Sequence, residues 1–340
     1  MWTETAPADG DHDTVNAVTR MKSAAGAPGF SSIVAVDWGK DLSKRCAWVA
    51  DVSRRTVKPL EGGPWYLESV LSSCRCLPGP VLLGIDAVLG VPRAYLEAAS
   101  RSVPAWSGLQ DFLSWLPIAV ETPGFLDTSR GSTEWNWARP FFSVPKGKGA
   151  LTAVWTMIGG RLMRPVDLAT RAKATFIVSG IPGTVGSGTR ALWTELAPLL
   201  RSDRDFGIWP LEGTLASILA RRRIALAEIY PRVCYALALD DLPAPLRKIS
   251  KGKAAARDRA VDALLTMPWM RTQAVNLSPK SAERAKGNED EFDAMMSAVS
   301  ILRCCLEGRL LERDGDFAVE GDMLGVGLLN LELRASGDLT

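Results

Sequence analysis

Residues 80–86 read PVLLGID, a nearly continuous apolar run that ends in an acid. Such a run indicates a strand buried on both faces, as in the parallel part of a sheet. Three shorter strand-like stretches precede it, at residues 31–39 (SSIVAVDWG), 46–52 (CAWVADV) and 56–60 (TVKPL). The short connections between these three favour an antiparallel meander. A sheet that begins antiparallel and continues parallel is therefore expected.

Helical patterns separate the later strands. Residues 65–74 have apolar side chains at helical spacing, and residues 92–99 begin with a proline, which the first turn of a helix tolerates. Residues 224–230 (IALAEIY) predict another buried strand, and residues 288–306 predict a long helix capped by Asn288. Three antiparallel strands followed by helix-linked parallel strands form the arrangement of the RNase H-like fold. We therefore expect an α/β protein with a mixed five-stranded sheet flanked by helices.

Length and composition bound the domain organisation. The chain has 340 residues, 47% of them hydrophobic, which is enough for one large domain with an insertion. Residues 1–29 are polar and small and predict a disordered tail, so the domain is expected over residues 30–340. Residues 101–222 have the least regular pattern and hold seven of the twelve tryptophans, which predicts an inserted helical and irregular subdomain. The other expected elements are helices near 107–115, 151–163, 190–200 and 254–267, strands near 174–179 and 206–211, and a closing hairpin over 309–332.

The charge balance excludes a protein that binds nucleic acid through bulk charge. The net charge is +2 and the isoelectric point is about 8.2, so any contact with DNA or RNA must be local. The sequence has no run of about 18 apolar residues that would predict a membrane span. It also lacks a basic start followed by an apolar block, so no signal peptide is expected.

The histidine and cysteine content excludes several catalytic classes. The single histidine, His12, lies in the polar N-terminal stretch, so Ser-His-Asp and Cys-His catalysis and histidine-ligated metals are not expected. The six cysteines form no C-x-x-C pair, so a zinc site is not expected either. They are typical of reduced thiols in a cytoplasmic protein. Any catalysis must therefore use carboxylates, lysine, tyrosine or a metal ion.

Acidic residues fall at the ends of several predicted core elements, namely Asp37, Asp86, Glu228 and the pair Asp290 and Asp293. Acids at strand ends converge where an open α/β sheet binds its ligands, and two acids three apart on a helix project near each other. Clustered carboxylates repel one another unless a cation joins them, and oxygen ligands suit Mg²⁺ or Mn²⁺. Taken singly, such acids are often turn formers or partners of a helix dipole. The prediction depends on all these segments agreeing in one fold.

Four of these segments resemble a known family. VAVDWG (34–39), GIDAVLGVP (84–92), AEIYP (227–231) and DEFDA (290–294) look like segments of the domain-of-unknown-function family 429, described as predicted RNase H-like nucleases. The glycine-rich IPGTVGSGT (181–189) is also similar to that family, and the resemblance covers about residues 30–330. The start of the DEFDA helix resembles that of Holliday-junction resolvases of the same superfamily.

The resemblance implies site residues by position. Asp37, Asp86 and Asp293 would be metal ligands, with Asp290 and Glu228 supporting them. We accordingly predict the metal ligands Asp37, Asp86, Asp290 and Asp293, two Mg²⁺ or Mn²⁺ ions, and the catalytic carboxylates Asp37, Asp86, Glu228 and Asp293. Such ions activate water and stabilise the leaving oxygen of a phosphodiester. The chain departs from the family where proline commonly stands in the Asp86 loop, since the sequence has Val at position 88.

Two further features suggest contacts with phosphate. Residues 183–190 are glycine-rich but lack the lysine that a nucleotide-binding P-loop requires. Two interpretations remain, a loop whose amides face a phosphate and a plain tight turn. Basic residues predict backbone contacts with nucleic acid, the alternative being a solvated surface. The chosen candidates are Lys146, Lys148, Lys251 and Lys253, and residues 221–223 are a further basic run.

Three functions fit these patterns. The first is a metal-dependent nuclease or related phosphodiester hydrolase acting on DNA or RNA. The second is a non-catalytic RNase H-like binding protein whose insertion contacts a protein partner. The third is an actin-like nucleotide-binding enzyme, which needs glycine-rich phosphate turns after its strand acids. DWGK (37–40) fits that need in part, and residues 86–88 fit it poorly.

Overall fold

The computed structural model describes residues 29–130, 134–144, 162–181 and 183–331. Its main feature is a seven-stranded mixed sheet in the order β7-β8-β4-β1-β2-β3-β9. The strands are β1 (Ser32–Asp37), β2 (Cys46–Asp51), β3 (Thr56–Pro59), β4 (Val81–Ile85), β7 (Phe206–Trp209), β8 (Ile224–Glu228) and β9 (Asn276–Leu277). A separate parallel pair consists of β5 (Phe142–Ser143) and β6 (Ile177–Ser179). The α/β class and the mixed sheet are confirmed.

The sheet combines both kinds of pairing. Strands β1, β2 and β3 form an antiparallel meander, and β4, β8 and β7 continue from β1 in parallel. The expected five-stranded sheet was too small, because one edge gains β7 and the other gains β9. The segment of β7 was expected as a strand within the insertion, and it joins the main sheet instead. Strand β9 has two residues, too few for its sequence to show a strand period.

Alternation along the central strands distributes their side chains between two cores. In β1, Val34 and Val36 join the hydrophobic cluster on one face, while Ile33 and Ala35 join the cluster on the other. In β4, Leu82 and Leu83 divide in the same way. Every residue of β4 is buried, as expected for a strand covered on both faces. Full burial of each Leu, Ile or Val side chain contributes about 1.5–3 kcal/mol, so this strand anchors the sheet.

Helices cover both faces of the sheet. They are α1 (Leu67–Cys76), α2 (Arg93–Ser102), α3 (Phe112–Glu121), α4 (Pro165–Thr170), α5 (Gly186–Ser202), α6 (Leu215–Leu219), α7 (Pro231–Leu239), α8 (Ala254–Thr266), α9 (Pro268–Thr272), α10 (Pro279–Gly287) and α11 (Glu289–Leu306). On one face, α11 packs against α7, β1 and β2. Helix α7 was not predicted, because Pro231 directly follows the predicted strand over 224–230, where a proline commonly ends a strand. It occupies the first position of a helix, where its missing N–H costs nothing.

Much of the described part of the region from 101 to 222 covers the opposite face, whereas β7 joins the sheet and α6 packs on the same face as α11. Helices α3 and α5 pack together, and their aromatic side chains share one hydrophobic cluster with β1 and β4. Trp115 and Trp193 are fully buried, with edge-on ring centroids 5.7 Å apart. Helix α3 begins five residues after the start of the helix expected near 107–115, because Asp111 caps it there. Helix α5 contains the helix expected near 190–200, and that near 151–163 lies almost wholly outside the described residues. The tryptophans seen here therefore contribute packing to the sheet.

The C-terminal region differs from the expected hairpin. Over the described residues 309–331, the chain forms isolated bridges with other segments, Glu228 with Met323 and Ala244 with Leu329, and one 3-10 turn at Val326–Leu328. Arg313 binds Asp322 through two hydrogen bonds of 2.7 and 2.8 Å. The hairpin prediction was wrong, because these backbone groups find their partners in segments elsewhere.

Helix α11 begins at a specific cap. The Asn288 side chain accepts hydrogen bonds from the backbone N–H groups of Asp290 and Glu291. Three acidic residues in the first turn also suit the positive end of the helix dipole. At 18 residues, α11 is the longest described helix, and neither it nor any other described helix has the length and apolar character to cross a membrane.

We expect Asn288→Ala to lower the free energy of unfolding by about 1 kcal/mol, because two backbone donors lose their acceptor. Urea unfolding followed by circular dichroism measures this loss. Asn276→Ala is the matched control, since Asn276 is exposed on edge strand β9. Equal stability of the two variants would show that the cap contributes nothing.

Candidate metal centre

Three carboxylates meet at one end of the sheet. Asp37 is the last residue of β1, Asp86 directly follows β4, and Asp293 lies in the first turns of α11. Because β1 and β4 are parallel and Val36 pairs with Ile85, the two strand-end acids emerge side by side. Each of the three acids offers a carboxylate oxygen, and these oxygens all lie within 4.8 Å of one another. The structure thus brings together the three acids that the resemblance implied.

The cluster resists full ionisation. Burial, followed by repulsion from Asp86, raises the pKa of Asp37 well above its usual value. Burial raises the pKa of Asp86 to about 7, against the opposing effect of Lys251. Burial also raises the pKa of Asp293, which is 1% exposed, whereas Asp37 and Asp86 keep part of their surface open. Carboxylates held in this way gain from any cation that reaches them.

Asp293 already has two partners. The Tyr235 hydroxyl donates a hydrogen bond to Oδ1 of Asp293, and the Lys251 ammonium donates one to Oδ2. Although burial alone would lower the pKa of Lys251, Asp293 and Asp37 raise it above its usual range. Lys251 is therefore a charged partner of the carboxylates, and the contact with substrate phosphate that the sequence suggests stays a prediction.

Glu228 lies outside this group and has partners of its own. Arg164 donates two hydrogen bonds of 2.7 Å to its two carboxylate oxygens, and the backbone N–H of Leu89 donates another at 2.9 Å. Arg164 also pairs with Asp167 at 2.7 Å, and all three charged side chains are buried. Burial raises the pKa of Glu228, although Arg164 opposes the shift. Glu228 thus connects the Asp86 loop to a buried arginine.

The other predicted site residues are not part of the three-carboxylate group, although repulsion from Asp290 contributes to the raised pKa values of Asp37 and Asp293. Asp290 is partly exposed in the first turn of α11, and Lys253 is exposed just before α8. Lys146 and Lys148 lie outside the described residues. The basic run at 221–223 precedes β8 and so lies at the opposite end of the sheet, where its guanidinium groups donate to backbone carbonyls.

The glycine-rich segment starts helix α5 and packs against the acid-bearing loops. A Cβ on Gly188 would lie 2.6 Å from the backbone oxygen of Trp38, so only glycine permits this approach. In the Asp86 loop, the Val88 N–H donates to the Thr189 hydroxyl at 3.3 Å, and the Trp193 indole donates to the Val88 oxygen at 2.8 Å. A proline at position 88 would lose the first bond, so α5 fixes this loop by hydrogen bonding.

Arg164 is the residue that sequence reasoning missed. It stands just before Pro165 and three residues before Asp167, a spacing that fits a helix start but is too common to identify a site. Its contact with Glu228 spans 64 positions, and no periodic pattern carries that information.

Comparison with family models, curated proteins and solved structures found no match for this chain. Its function is therefore inferred from its own residues. The donor set consists of oxygen atoms alone, from closely spaced carboxylates that have an open edge, and it fits Mg²⁺ or Mn²⁺. In the described part of the chain, this is the group of acids with metal-binding spacing.

Proposed function

We propose that this protein is a divalent-metal-dependent nuclease, or a related phosphodiester hydrolase, with an RNase H-like fold similar to that of family 429. The observation that carries the proposal is the convergence of Asp37, Asp86 and Asp293 within 4.8 Å at the ends of β1, β4 and α11. The order β3-β2-β1-β4-β8, antiparallel and then parallel, supports the fold assignment. The cofactor would be Mg²⁺ or Mn²⁺ and the substrate DNA or RNA.

The residues of the site have distinct parts in this proposal. Asp37 and Asp86 would hold the metal, with Asp293 completing the donor set. A bound divalent ion supplies Lewis acidity and lowers the pKa of a water molecule. Tyr235 and Lys251 orient Asp293, while Arg164 and Glu228 hold the Asp86 loop through Leu89. Positive charge beside the acids comes from Lys251 and would favour a phosphate that approaches the open edge.

The contacts of the strand-end loops favour this reading over an actin-like nucleotide site. After Asp37, the carbonyl of Gly39 accepts from Arg45 at 2.8 Å and that of Trp38 lies against α5. After Asp86, residues Ala87 to Val91 are buried, and the amides of Ala87, Val88, Leu89 and Val91 donate hydrogen bonds within the protein. Phosphate binding by such turns needs free backbone amides. In the Asp86 loop most of these amides already have partners in the protein, so this loop instead serves to fix its acid.

The proposal is tested by calorimetric titration of Mn²⁺ and by incubation with single-stranded, duplex and branched nucleic acids. We expect wild type to bind Mn²⁺ and to cleave at least one of these substrates. Asp86→Asn combined with Asp293→Asn should abolish both, a loss beyond the roughly 10–100-fold that outer-shell changes cost. Asp241→Asn with Asp314→Asn, which changes two exposed acids, is the matched control. Folded wild type without Mn²⁺ affinity, alone or with nucleic acid, would favour a non-catalytic binding protein.

A further inference from the structure

We infer that the site takes one divalent cation per chain, and that the Lys251 ammonium serves as the second positive centre. This inference rests on the proposed function and replaces the two ions expected from the sequence. It starts from the contacts of Asp293, whose two oxygens accept hydrogen bonds from Tyr235 and Lys251. Among the described residues, no ion pair engages Asp37 or Asp86, so their carboxylates are the main donors for a metal. Asp293 completes the set through a lone pair that its two hydrogen bonds leave open.

The net charge of the cluster also indicates one divalent cation per chain. The three clustered carboxylates, when ionised, and the Lys251 ammonium leave two negative charges, which one divalent ion neutralises. Asp290 also repels Asp37 and Asp293, but it is partly exposed, so water screens its charge. A second divalent ion beside Lys251 would leave the group with two positive charges in a partly buried setting. Charges of like sign a few ångströms apart repel strongly where water is excluded. One ion and one lysine balance the site, whereas two ions with the lysine do not.

Lys251 is held in place by the fold. Its backbone N–H donates to the carbonyl of Ile249 at 2.9 Å, and its own carbonyl accepts from Arg257. Arg257 is 7% exposed and also donates to the carbonyl of Lys286 at 2.7 Å, which ties the loop to α10. Lys251 itself is 37% exposed at the side chain, against 1% for Asp293. A buried arginine thus fixes the backbone from which the ammonium reaches the acids.

A fixed ammonium has a function beside a single metal ion. A positive group that is already in place stabilises developing negative charge without reorganising during reaction. In two-metal sites the second ion supplies that charge. Here the chain would supply it, and the cation requirement of the protein would fall to one ion.

The test counts bound Mn²⁺ by calorimetry and by electron paramagnetic resonance of free Mn²⁺. Wild type should bind one ion per chain. Lys251→Gln should bind the first ion at least tenfold more tightly and take up a second, because the repelling charge is gone. Lys251→Arg keeps the charge and should bind one ion. Lys253→Gln removes an exposed lysine two residues away and should match wild type.

The outcomes separate this inference from the proposed function. Two ions in wild type would overturn the inference and leave the metal-dependent hydrolase standing. An unchanged count and affinity in Lys251→Gln would overturn it too. If Lys251→Gln does not fold, the counts in wild type and Lys251→Arg decide, since a second ion in either refutes the inference. Absence of Mn²⁺ binding in every variant would overturn both proposals together.

Discussion

Replacing Arg164 with methionine will lower the free energy of unfolding by about 3–5 kcal/mol. Arg164 is fully buried and binds Glu228 and Asp167, which are 2% and 1% exposed. Without the guanidinium, two carboxylates stay buried with no opposite charge. Removing one member of a buried ionic group is costly for this reason, even where the intact group adds little net stability. Urea unfolding at pH 7 measures the loss.

An exposed ion pair provides the control for this effect. Arg201 binds Glu121 across the surface, with side chains 52% and 63% exposed. Because water screens such a pair, Arg201→Met should destabilise the protein far less than Arg164→Met does. A second test adds Glu228→Gln to Arg164→Met, which should recover part of the stability by removing one stranded charge. If Arg164→Met were no more costly than Arg201→Met, the buried triad would not stabilise the fold.

The same substitution should weaken the metal site without touching a ligand. Glu228 accepts the N–H of Leu89 and Arg164 donates to the carbonyl of Glu320, so together they hold the loop that follows Asp86. We expect Mn²⁺ affinity in folded Arg164→Met to fall by about 10–100-fold, as for other outer-shell changes. Unaltered Mn²⁺ affinity in that folded variant would assign the triad to stability alone.

The acids of the candidate site could be predicted because each ends a regular element. Asp37 and Asp86 follow apolar strands, and Asp293 lies one turn inside a well-capped helix, so their meeting follows from sheet geometry. The partners of these acids could not be predicted. Lys251, which binds Asp293, and Arg164, which binds Glu228 beside the site, lie outside regular elements. Their roles depend on tertiary contacts that have no period.

The fold shows the same division. Central strands and helix α11 have long, strongly patterned sequences, and their bounds differ from expectation by one or two residues. Strand β9, which has two residues, and the segment 309–332 have no long apolar pattern from which their structure could be predicted. At these edges, backbone groups pair with whatever segment tertiary packing brings near, such as Arg55 with Asn276. Sequence periodicity therefore predicts the centre of the sheet better than its rim.

Without metal, the protein should lose stability as the pH rises from about 4 to about 7. In the folded chain the pKa of Asp86 is raised from 3.8 to about 7, chiefly by burial. Folding therefore favours the protonated form, and over this interval the unfolded chain releases a proton that the folded chain keeps. The stability contributed by protonated Asp86 is fully present below the unfolded-state pKa of 3.8. It is lost as the pH rises through the folded-state pKa of about 7. The raised pKa values of Asp37 and Asp293 act in the same direction.

Asp86→Asn tests this directly. A pKa displaced from 3.8 to about 7 corresponds to at most about 4 kcal/mol, an upper limit because Asp86 keeps part of its surface exposed. In EDTA at pH 8, Asp86→Asn should therefore be more stable than wild type by up to about 4 kcal/mol, and less dependent on pH. The exposed control Asp314→Asn should follow wild type.

Saturating Mn²⁺ should reverse the order of stability at pH 8. A metal that binds the folded carboxylates stabilises wild type by mass action, whereas Asp86→Asn has lost a ligand and gains little. Urea unfolding at pH 5 and at pH 8, each with EDTA and with Mn²⁺, compares wild type with Asp86→Asn under all four conditions. If wild type in EDTA is equally stable at both pH values, ionisation of the three acids does not destabilise the folded protein. The reversal would show that one cluster both weakens the empty protein and binds its metal, because the repulsion that destabilises it is what a cation relieves.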